Sequence, residues 1–391
     1  MNQIDVIFSD AANSRATDIH IDPVMDGYQI RYRIDGKLRL NRNLKKSAGI
    51  SLINQIKAAA GIEPGTAFLP KDERIKLSIS GRSLDLRITL VPCISGPKIA
   101  IRLLDPNNVI REIPQLGLQP EDRTALEEWT RSLNGMILVT GPTSSGKTTT
   151  LYSLLYEIAE ESRHVVTVED PVEYEIDGIN QIQVDNRHNL DFAEGVKTAL
   201  RLDPDCVMVG EIRAHDAAFE AVNAAVQGHV VMATLHSRDM VSAVTRLRNY
   251  DIENHQITTA LGVVVNQRLV RKLCDHCRKK GEVTESTKTF FESNRVSIPE
   301  TLFLPVGCEH CANSGYFGRT GIFEIWNLDV SDYELILANQ DEKAIRNKLK
   351  NDNHTFILHD AAKKLADGTT SFDEIKVLGL DLPWTTGRAS P

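Results

Sequence analysis

The sequence predicts an α/β protein. A domain built on a parallel sheet is preceded by a smaller α+β domain and followed by a cysteine-bearing lobe and a helical region. Three observations predict it. Short apolar runs alternate with helical segments after residue 120. A glycine-rich loop at 141–148 joins one such run to a helix. Two C-x-x-C pairs follow at 274–277 and 308–311.

Residues 1–105 form the first domain. Residues 4–15 have the spacing of an amphipathic helix. In 28–40, Ile30, Tyr32 and Ile34 share one face and Arg31 and Arg33 the other. Asp35-Gly36 supplies a two-residue hairpin turn. Residues 47–60 read as a helix with Ser47 as its N-cap. Strand-like runs follow at 74–80, 83–91 and 98–104, the first two joined by a turn at Gly81-Arg82. Residues 106–120, rich in proline, form the linker. The second domain, 121–273, has short buried strands at 136–140, 165–169, 206–210 and 230–235 with helices between them. Residues 274–328 are loop-rich and carry the cysteine pairs. Residues 329–391 return to helix and end in a polar tail.

Length and composition fit this division. A chain of 391 residues holds two to three domains and buries enough surface to need no disulfides. Hydrophobic residues make up 41% and charged residues 25%, ordinary globular values that exclude wholesale disorder. The net charge of −8 argues against nucleic acid as a partner, and no basic stripe with interleaved aromatics is present. No apolar run is long enough to span a membrane, and residues 1–14 lack a signal pattern, so a cytosolic chain is expected. Six cysteines in that compartment are not expected to pair as disulfides.

Gly141-Pro142-Thr143-Ser144-Ser145-Gly146-Lys147-Thr148, followed by Thr149, satisfies G-x-x-x-x-G-K-[ST] between a strand and a helix. Glycines let backbone N–H groups wrap a phosphate. The helix N-terminus adds partial positive charge and Lys147 a full one, and the Thr148 hydroxyl is a Mg²⁺ ligand. The bland alternative, a Gly/Ser turn capping a helix, does not require the lysine. Two later strands end in acids: Glu169-Asp170-Pro171-Val172-Glu173, and Gly210-Glu211. Carboxylates at the C-terminal edge of a parallel sheet face the ligand crevice, where Glu211 holds Mg²⁺ through water or activates the attacking water. A solvated strand end is the plain alternative. His229 and His236 bracket a third strand, and a neutral imidazole there can donate to a γ-phosphate. Most lone histidines are structural or exposed.

Cys274, Cys277, Cys308 and Cys311 form two knuckles separated by thirty residues, a strong signal for a closed structural zinc site. Unliganded or redox thiols are the alternative. The intervening segment is expected to form a small projecting lobe.

Taken together and in this order, these boxes resemble the secretion ATPases of type II secretion and type IV pilus assembly. Glu169 to Tyr174 is similar to the family's aspartate box. The segment from Leu200 to Arg213 is similar to its Walker B segment, with Glu211 in the catalytic position. His229 and His236 match its histidine box. In the first domain, the segments from Thr17 to Pro23, Arg31 to Gly36, Asp85 to Arg87 and Lys98 to Asp105 resemble the amino-domain motifs. The resemblance implies a RecA-like P-loop ATPase domain behind a PAS-like amino domain, with ATP, Mg²⁺ and Zn²⁺ as cofactors. It also implies a homohexamer in which each amino domain lends arginines to a neighbour's nucleotide. Arg87, Arg102 and Arg201 match family arginines. Lys197 stands where an arginine is usual, Ser145 replaces a glycine and Pro97 a glutamate. The further N-terminal domain by which family members dock a membrane partner has no counterpart in these residues. The tetracysteine element marks assembly and secretion members rather than retraction ones. The expectation is therefore an assembly motor at the cytoplasmic face of the bacterial inner membrane, attached through platform proteins. The rivals are a retraction motor of the same fold, a nucleotide-binding scaffold that does not hydrolyse, and a DNA translocase.

Overall fold

The computed structural model describes residues 3–63, 69–79, 81–104, 111–132, 135–159 and 162–379. Ser80, the first part of the expected linker at 106–110, and the tail from 380 lie outside the described residues. The chain divides into two compact units, Met1–Val109 and Ile110–Pro391.

The first unit runs α1 (Gln3–Asn13), β1 (Ala16–Val24), β2 (Gly27–Ile34), β3 (Lys37–Lys45), α2 (Lys46–Ala59), β4 (Lys71–Ile79), β5 (Arg82–Cys93) and β6 (Gly96–Leu104). The strands form one antiparallel sheet, ordered β3-β2-β1-β6-β5-β4. Asp35 and Gly36 both have positive φ, 48° and 83°, as the two-residue hairpin requires. Alternation sends Ile19, Ile21, Ile30, Tyr32, Ile88 and Ile101 into a core shared with α1 and α2. Tyr32 fastens α1 to the sheet by donating its hydroxyl to the Ile7 carbonyl at 2.9 Å. Two expectations are corrected. The strand β1, in the middle of the sheet, is not among the runs the sequence analysis picks out. Ser47 is not the N-cap: α2 begins at Lys46, and Lys45 before it makes no side-chain capping bond.

The other face of that sheet is charged. Asp18 lies between Arg33 and Arg102, each at 3.4 Å. Asp22 lies between Arg31 at 2.8 Å and Lys98 at 2.9 Å. Burial pushes the Asp22 carboxyl up, but the bonds from Lys98 and Arg31 outweigh it and hold it below the usual carboxylate range.

In the second unit, the described residues before the first helix include a 3₁₀ turn at Ile113–Leu116. Its Ile113 and Leu116 are buried, so part of the expected linker is packed. There follow α3 (Pro120–Ser132), β7 (Met136–Thr140), α4 (Lys147–Ile158), β8 (Val165–Glu169), β9 (Asn180–Gln183), α5 (Phe192–Leu200), β10 (Cys206–Ile212) and α6 (His215–Val226). Next come β11 (Val230–Leu235), α7 (Met240–Asn249), α8 (Asn254–Ala260), β12 (Leu261–Leu273), β13 (Lys279–Gly281), α9 (Glu285–Ser293), β14 (Leu302–Leu304) and β15 (Tyr316–Asn327). The helices α10 (Val330–Leu337), α11 (Glu342–Asn351), α12 (Ile357–Ala366) and α13 (Phe372–Val377) complete it.

The main sheet is ordered β15-β12-β7-β11-β10-β8-β9. All neighbours are parallel except the β12–β15 pair. The strands β7, β8 and β11 are buried at every position, as strands covered on both faces must be. The strand β15 lies inside the range expected for the cysteine lobe, yet it is the antiparallel edge of the main sheet. Its Ile322 and Trp326 share a core with Leu358 and Leu365 of α12. The lobe proper is the knuckles with β13, α9 and β14.

Helix α5 reaches the sheet through Gly195. A Cβ there would lie 2.4 Å from Cγ1 of Val168, the residue before Glu169. Gly195→Val is expected to lower unfolding stability by about 2 kcal/mol, an overpacking cost on a rigid strand. A urea melt checks it. Wild-type stability would mean that α5 can move away from β8.

Candidate functional site

The site begins where β7 ends. Three backbone conformations turn the chain from strand to helix: Gly141 at φ 142°, Ser144 at 64° and Gly146 at 91°. Side chains are excluded from the outer wall. A Cβ on Gly141 would sit 2.5 Å from the Gln267 carbonyl oxygen, and one on Gly146 2.7 Å from Gln267 Nε2. Helix α4 starts at Lys147, so its first N–H groups face the loop. Lys147 is buried and donates to the carbonyls of Gly141 and Pro142, both at 3.0 Å. Burial lowers its pKa below the usual lysine value; Glu211 opposes that shift and Arg268 adds to it. Ser145 Oγ is buried without a hydrogen-bond partner, as a group awaiting an anion would be. Pro142, Thr143, Ser144 and Thr148 are exposed and Thr149 is half-buried.

Beside the loop is a cavity of about 120 Å³ lined by Thr148, Glu169, Asp170, Glu173, Gly210 and Glu211, among others. It lies at the C-terminal edge of β8 and β10, as expected for an α/β ligand site. The acids differ in their surroundings. Glu169 is buried and receives hydrogen bonds from Tyr152, from Thr167 at 2.7 Å and from Gln181 at 3.1 Å. Its oxygens are already held by protein donors, so it braces the strand end. Asp170 is more open, with Arg213 at 3.8 Å. Glu211 is contacted by Arg213 and by His236, whose Nε2 lies 3.6 Å away. Gly210 keeps this strand close to β8: a Cβ would lie 3.2 Å from the Val168 oxygen.

Two expected residues are not brought to the loop. His229 precedes β11, at the opposite edge of the parallel sheet, with Nδ1 3.2 Å from the Ala224 oxygen. His236 lies seven positions further along, about 23 Å of extended chain. A parallel strand presents only one end to the site. Arg201 caps the C-terminal end of α5, ahead of β10, and is exposed at that same far edge. Lys197 pairs with Glu220 at 3.4 Å. In the first unit, Arg87 and Arg102 are cross-strand neighbours on the charged face.

Tyr152 and, on β12, Asn266, Gln267 and Arg268 belong to the site but lie outside the sequence motifs. Gln267 accepts from Thr150 at 2.7 Å and walls the loop. The available signal was a polar triplet inside the apolar run of β12.

The four cysteine Sγ atoms lie within 4.8 Å of one another. Cys274–Cys308 and Cys277–Cys311 are 3.9 Å apart and Cys308–Cys311 3.7 Å. A tetrahedral zinc at about 2.3 Å from each sulfur puts the sulfurs about 3.8 Å apart, so the set fits that ion. Backbone N–H groups of Gly307, Cys308 and Gly315 point at the sulfurs at 3.2–3.3 Å. Burial pushes the Cys311 thiol up, but the N–H groups of Cys308 and Gly315, together with the neighbouring Cys308 and Cys277 side chains, outweigh it and hold it below the ordinary thiol value. His276 and His310 lie outside the cluster, their rings 4.1 Å apart.

Residues 1–377 match the family model described as "Type II/IV secretion system protein". The chain belongs to this family. It is 40% identical over 372 residues to the "Putative type II secretion system protein E" of Escherichia coli (strain K12), covering 95% of this chain and 75% of that protein. It is 41% identical over 373 residues to the "Type II secretion system protein E" of Aeromonas hydrophila, covering 95% and 74%. It is 36% identical to the "Type IV pilus assembly ATPase TfpB" of Acinetobacter baylyi, covering 95% and 64%. Among solved structures, the ATPase DotB of Legionella pneumophila matches with a TM-score of 0.71 at 22% identity, covering 96% of this chain and 94% of that one. The pilus retraction motor PilT matches at 0.66 and 22%, covering 100% of each. These two likenesses show the fold. Family membership and the complete phosphate loop make the chain an ATPase of the type II/IV secretion family. No described helix is long and apolar enough to cross a membrane.

Purified protein is expected to carry about one zinc per chain, the stoichiometry of a closed four-thiolate site. Chelation should melt the β13–α9–β14 lobe while the main sheet stays folded. Elemental analysis and far-UV circular dichroism check this. Undiminished metal in Cys308→Ser would remove the cluster from the account.

Proposed function

We propose that this chain is the ATP-hydrolysing subunit of a homohexameric motor that drives pilin or pseudopilin assembly in type II secretion or type IV pilus biogenesis. It works at the cytoplasmic face of the bacterial inner membrane, attached through platform proteins. The observation that carries this reading is the convergence of Thr148, Asp170 and Glu211 on one cavity, with Lys147 close enough to feel the Glu211 charge, in a chain of the secretion family. Lys147 and the loop amides hold the β- and γ-phosphates. Thr148 and Asp170 hold Mg²⁺, which neutralises charge developing on the phosphates. Glu211 orients and deprotonates the attacking water, and His236 sits beside it. Arginines 87 and 102 of a neighbouring subunit stabilise the transition state, and Arg201 acts at the same interface. Zinc in the tetracysteine cluster is structural. That cluster favours assembly over retraction, since it marks the assembly and secretion members.

Glu211→Gln is expected to keep nucleotide affinity within a few fold and to cut turnover about a hundredfold or more, the size of a general-base loss. Lys147→Ala is expected to weaken nucleotide binding itself. Steady-state ATPase rates and nucleotide titration separate these outcomes. Turnover surviving in Glu211→Gln within about threefold would reassign the water-handling role.

The trans arrangement has its own test. Arg87→Ala and Lys147→Ala are each expected to be nearly inactive, since an arginine of this kind contributes roughly 10³–10⁵ in rate. In mixed rings some intact loops meet an intact neighbouring Arg87, so activity should reappear on mixing and rise with protein concentration. Subunits that co-assemble and stay inactive would place the arginine in the same chain as its nucleotide.

A further inference from the structure

Arg268 is not among the motifs that define the site, yet it crosses the base of the phosphate loop. It lies on β12, two residues past Asn266, which pairs with Thr140. On the other side of β7, Thr140 pairs with Leu235 of β11. The Arg268 guanidinium donates from Nη1 to Asn266 Oδ1 and to the Gln267 carbonyl, both at 2.9 Å. From Nη2 it donates to the Arg238 carbonyl at 2.6 Å. Arg238 lies beyond the end of β11. The strand order β12-β7-β11 therefore obliges this side chain to pass over the point where β7 becomes the loop. Its Nη1 lies 3.3 Å from where a Gly141 Cβ would be.

The segment it reaches is the one that carries His236 to Glu211. That segment is held at its far end by Asp239, which caps α7 by accepting from the Ser242 N–H at 2.9 Å and pairs with Arg346 of α11 at 3.0 Å. Next to it, Arg268 holds the Arg238 carbonyl to β12, beside the loop. A planar fork can bond to both sides of β7 at once; a lysine ammonium is a single point of attachment. Among the described residues Arg268 forms no ion pair within the contact range of a salt bridge, so its bonds are to neutral acceptors placed by the two segments.

We propose that Arg268 is a positioning residue that couples β12, the outer wall of the phosphate loop, to the 236–239 segment, and so keeps His236 against Glu211. This rests on the ATPase reading of the site. Arg268 acts through His236, which distinguishes it from a direct phosphate ligand and from a purely structural strut.

The experiment is a double-mutant cycle in kcat, with nucleotide affinity and thermal stability measured on the same full-length proteins. Arg268→Lys is expected to bind Mg·ADP within about threefold of wild type and to lose about tenfold or more in kcat. Combined with His236→Ala, it should lose no more than about twofold beyond His236→Ala alone, because the two residues act in series. Arg268→Gln is read in the same way, so that failure of one variant to fold leaves the test standing. Three results would overturn the proposal: wild-type kcat in both variants, Mg·ADP affinity weakened more than about tenfold, or losses that multiply in the double variant. Wild-type protein that neither binds nor turns over ATP would instead refute the wider reading, before the cycle is run.

Discussion

The candidate site depends on how closely β12 runs beside the phosphate loop. Phosphate-binding loops are usually explained from the inside, by amides that must approach an anion. Here the outside is equally constraining. The Gln267 carbonyl and side-chain amide occupy the space where side chains on Gly141 and Gly146 would project. The same side chain accepts from Thr150, in the first turn of α4. One residue of a neighbouring strand thus fixes both the exit of β7 and the entry to α4. The glycines serve two close approaches at once, one to the ligand and one to the strand behind it.

With the loop fixed, the acids take their roles from their neighbours. Glu169 and Glu211 both end parallel strands, and residue type alone gives them equal claim to metal or water. Glu169 is buried under donors from Tyr152, Thr167 and Gln181, each of which consumes acceptor capacity. Among the described residues, Glu211 meets partners that are themselves charged or titratable, Arg213 and His236. Such partners can release a carboxylate to a new ligand at less cost than a set of buried hydroxyl and amide donors can. The difference between an acid held by protein donors and one left more open to a new ligand follows from burial and donor count, and neither is visible in the two strands' sequences.

That contrast also shows what the sequence discloses. Local signals were legible: the Asp35-Gly36 turn, the four buried strands β7, β8, β10 and β11, the loop between Gly141 and Thr148, and the cysteine spacing. Each is written within about ten residues. The strands β12 and β15 are not legible locally, because they pair with each other across a long stretch of chain. The strand β1 is different: Asp18-Ile19-His20-Ile21-Asp22 alternates strictly, with Asp18 and Asp22 on the charged face, and it pairs with the adjacent β2, so its pattern is local and legible. Asn266, Gln267 and Arg268 interrupt β12 because they serve the loop, so the residues that spoil its periodicity are the ones with work to do at the site. His229 lies away from the loop of its own chain for a different reason. Two histidines bracketing a strand look equivalent in sequence, but a parallel strand brings only its C-terminal end to the crevice.

The cysteine cluster is less separate from the loop than the spacing implies. Cys274 directly follows Leu273, the last residue of β12, and its N–H donates to the Gly315 carbonyl at 2.9 Å, just ahead of β15. Leu273 pairs with Tyr316 across the two strands. A metal held by the four thiolates therefore clamps the far end of the same antiparallel pair whose middle supports Gln267 and Arg268. Further bonds hold that stretch: Thr370 donates to the Arg271 carbonyl at 2.8 Å, and Glu374 pairs with the Arg271 guanidinium at 2.7 Å. Register errors in a strand flip every side chain to the opposite face. One residue of slip in β12 would turn Gln267 away from the loop and Arg268 away from Arg238. The cysteine knuckles line no part of the phosphate-loop cavity, but they sit at the end of the strand pair on which the loop's outer wall is built.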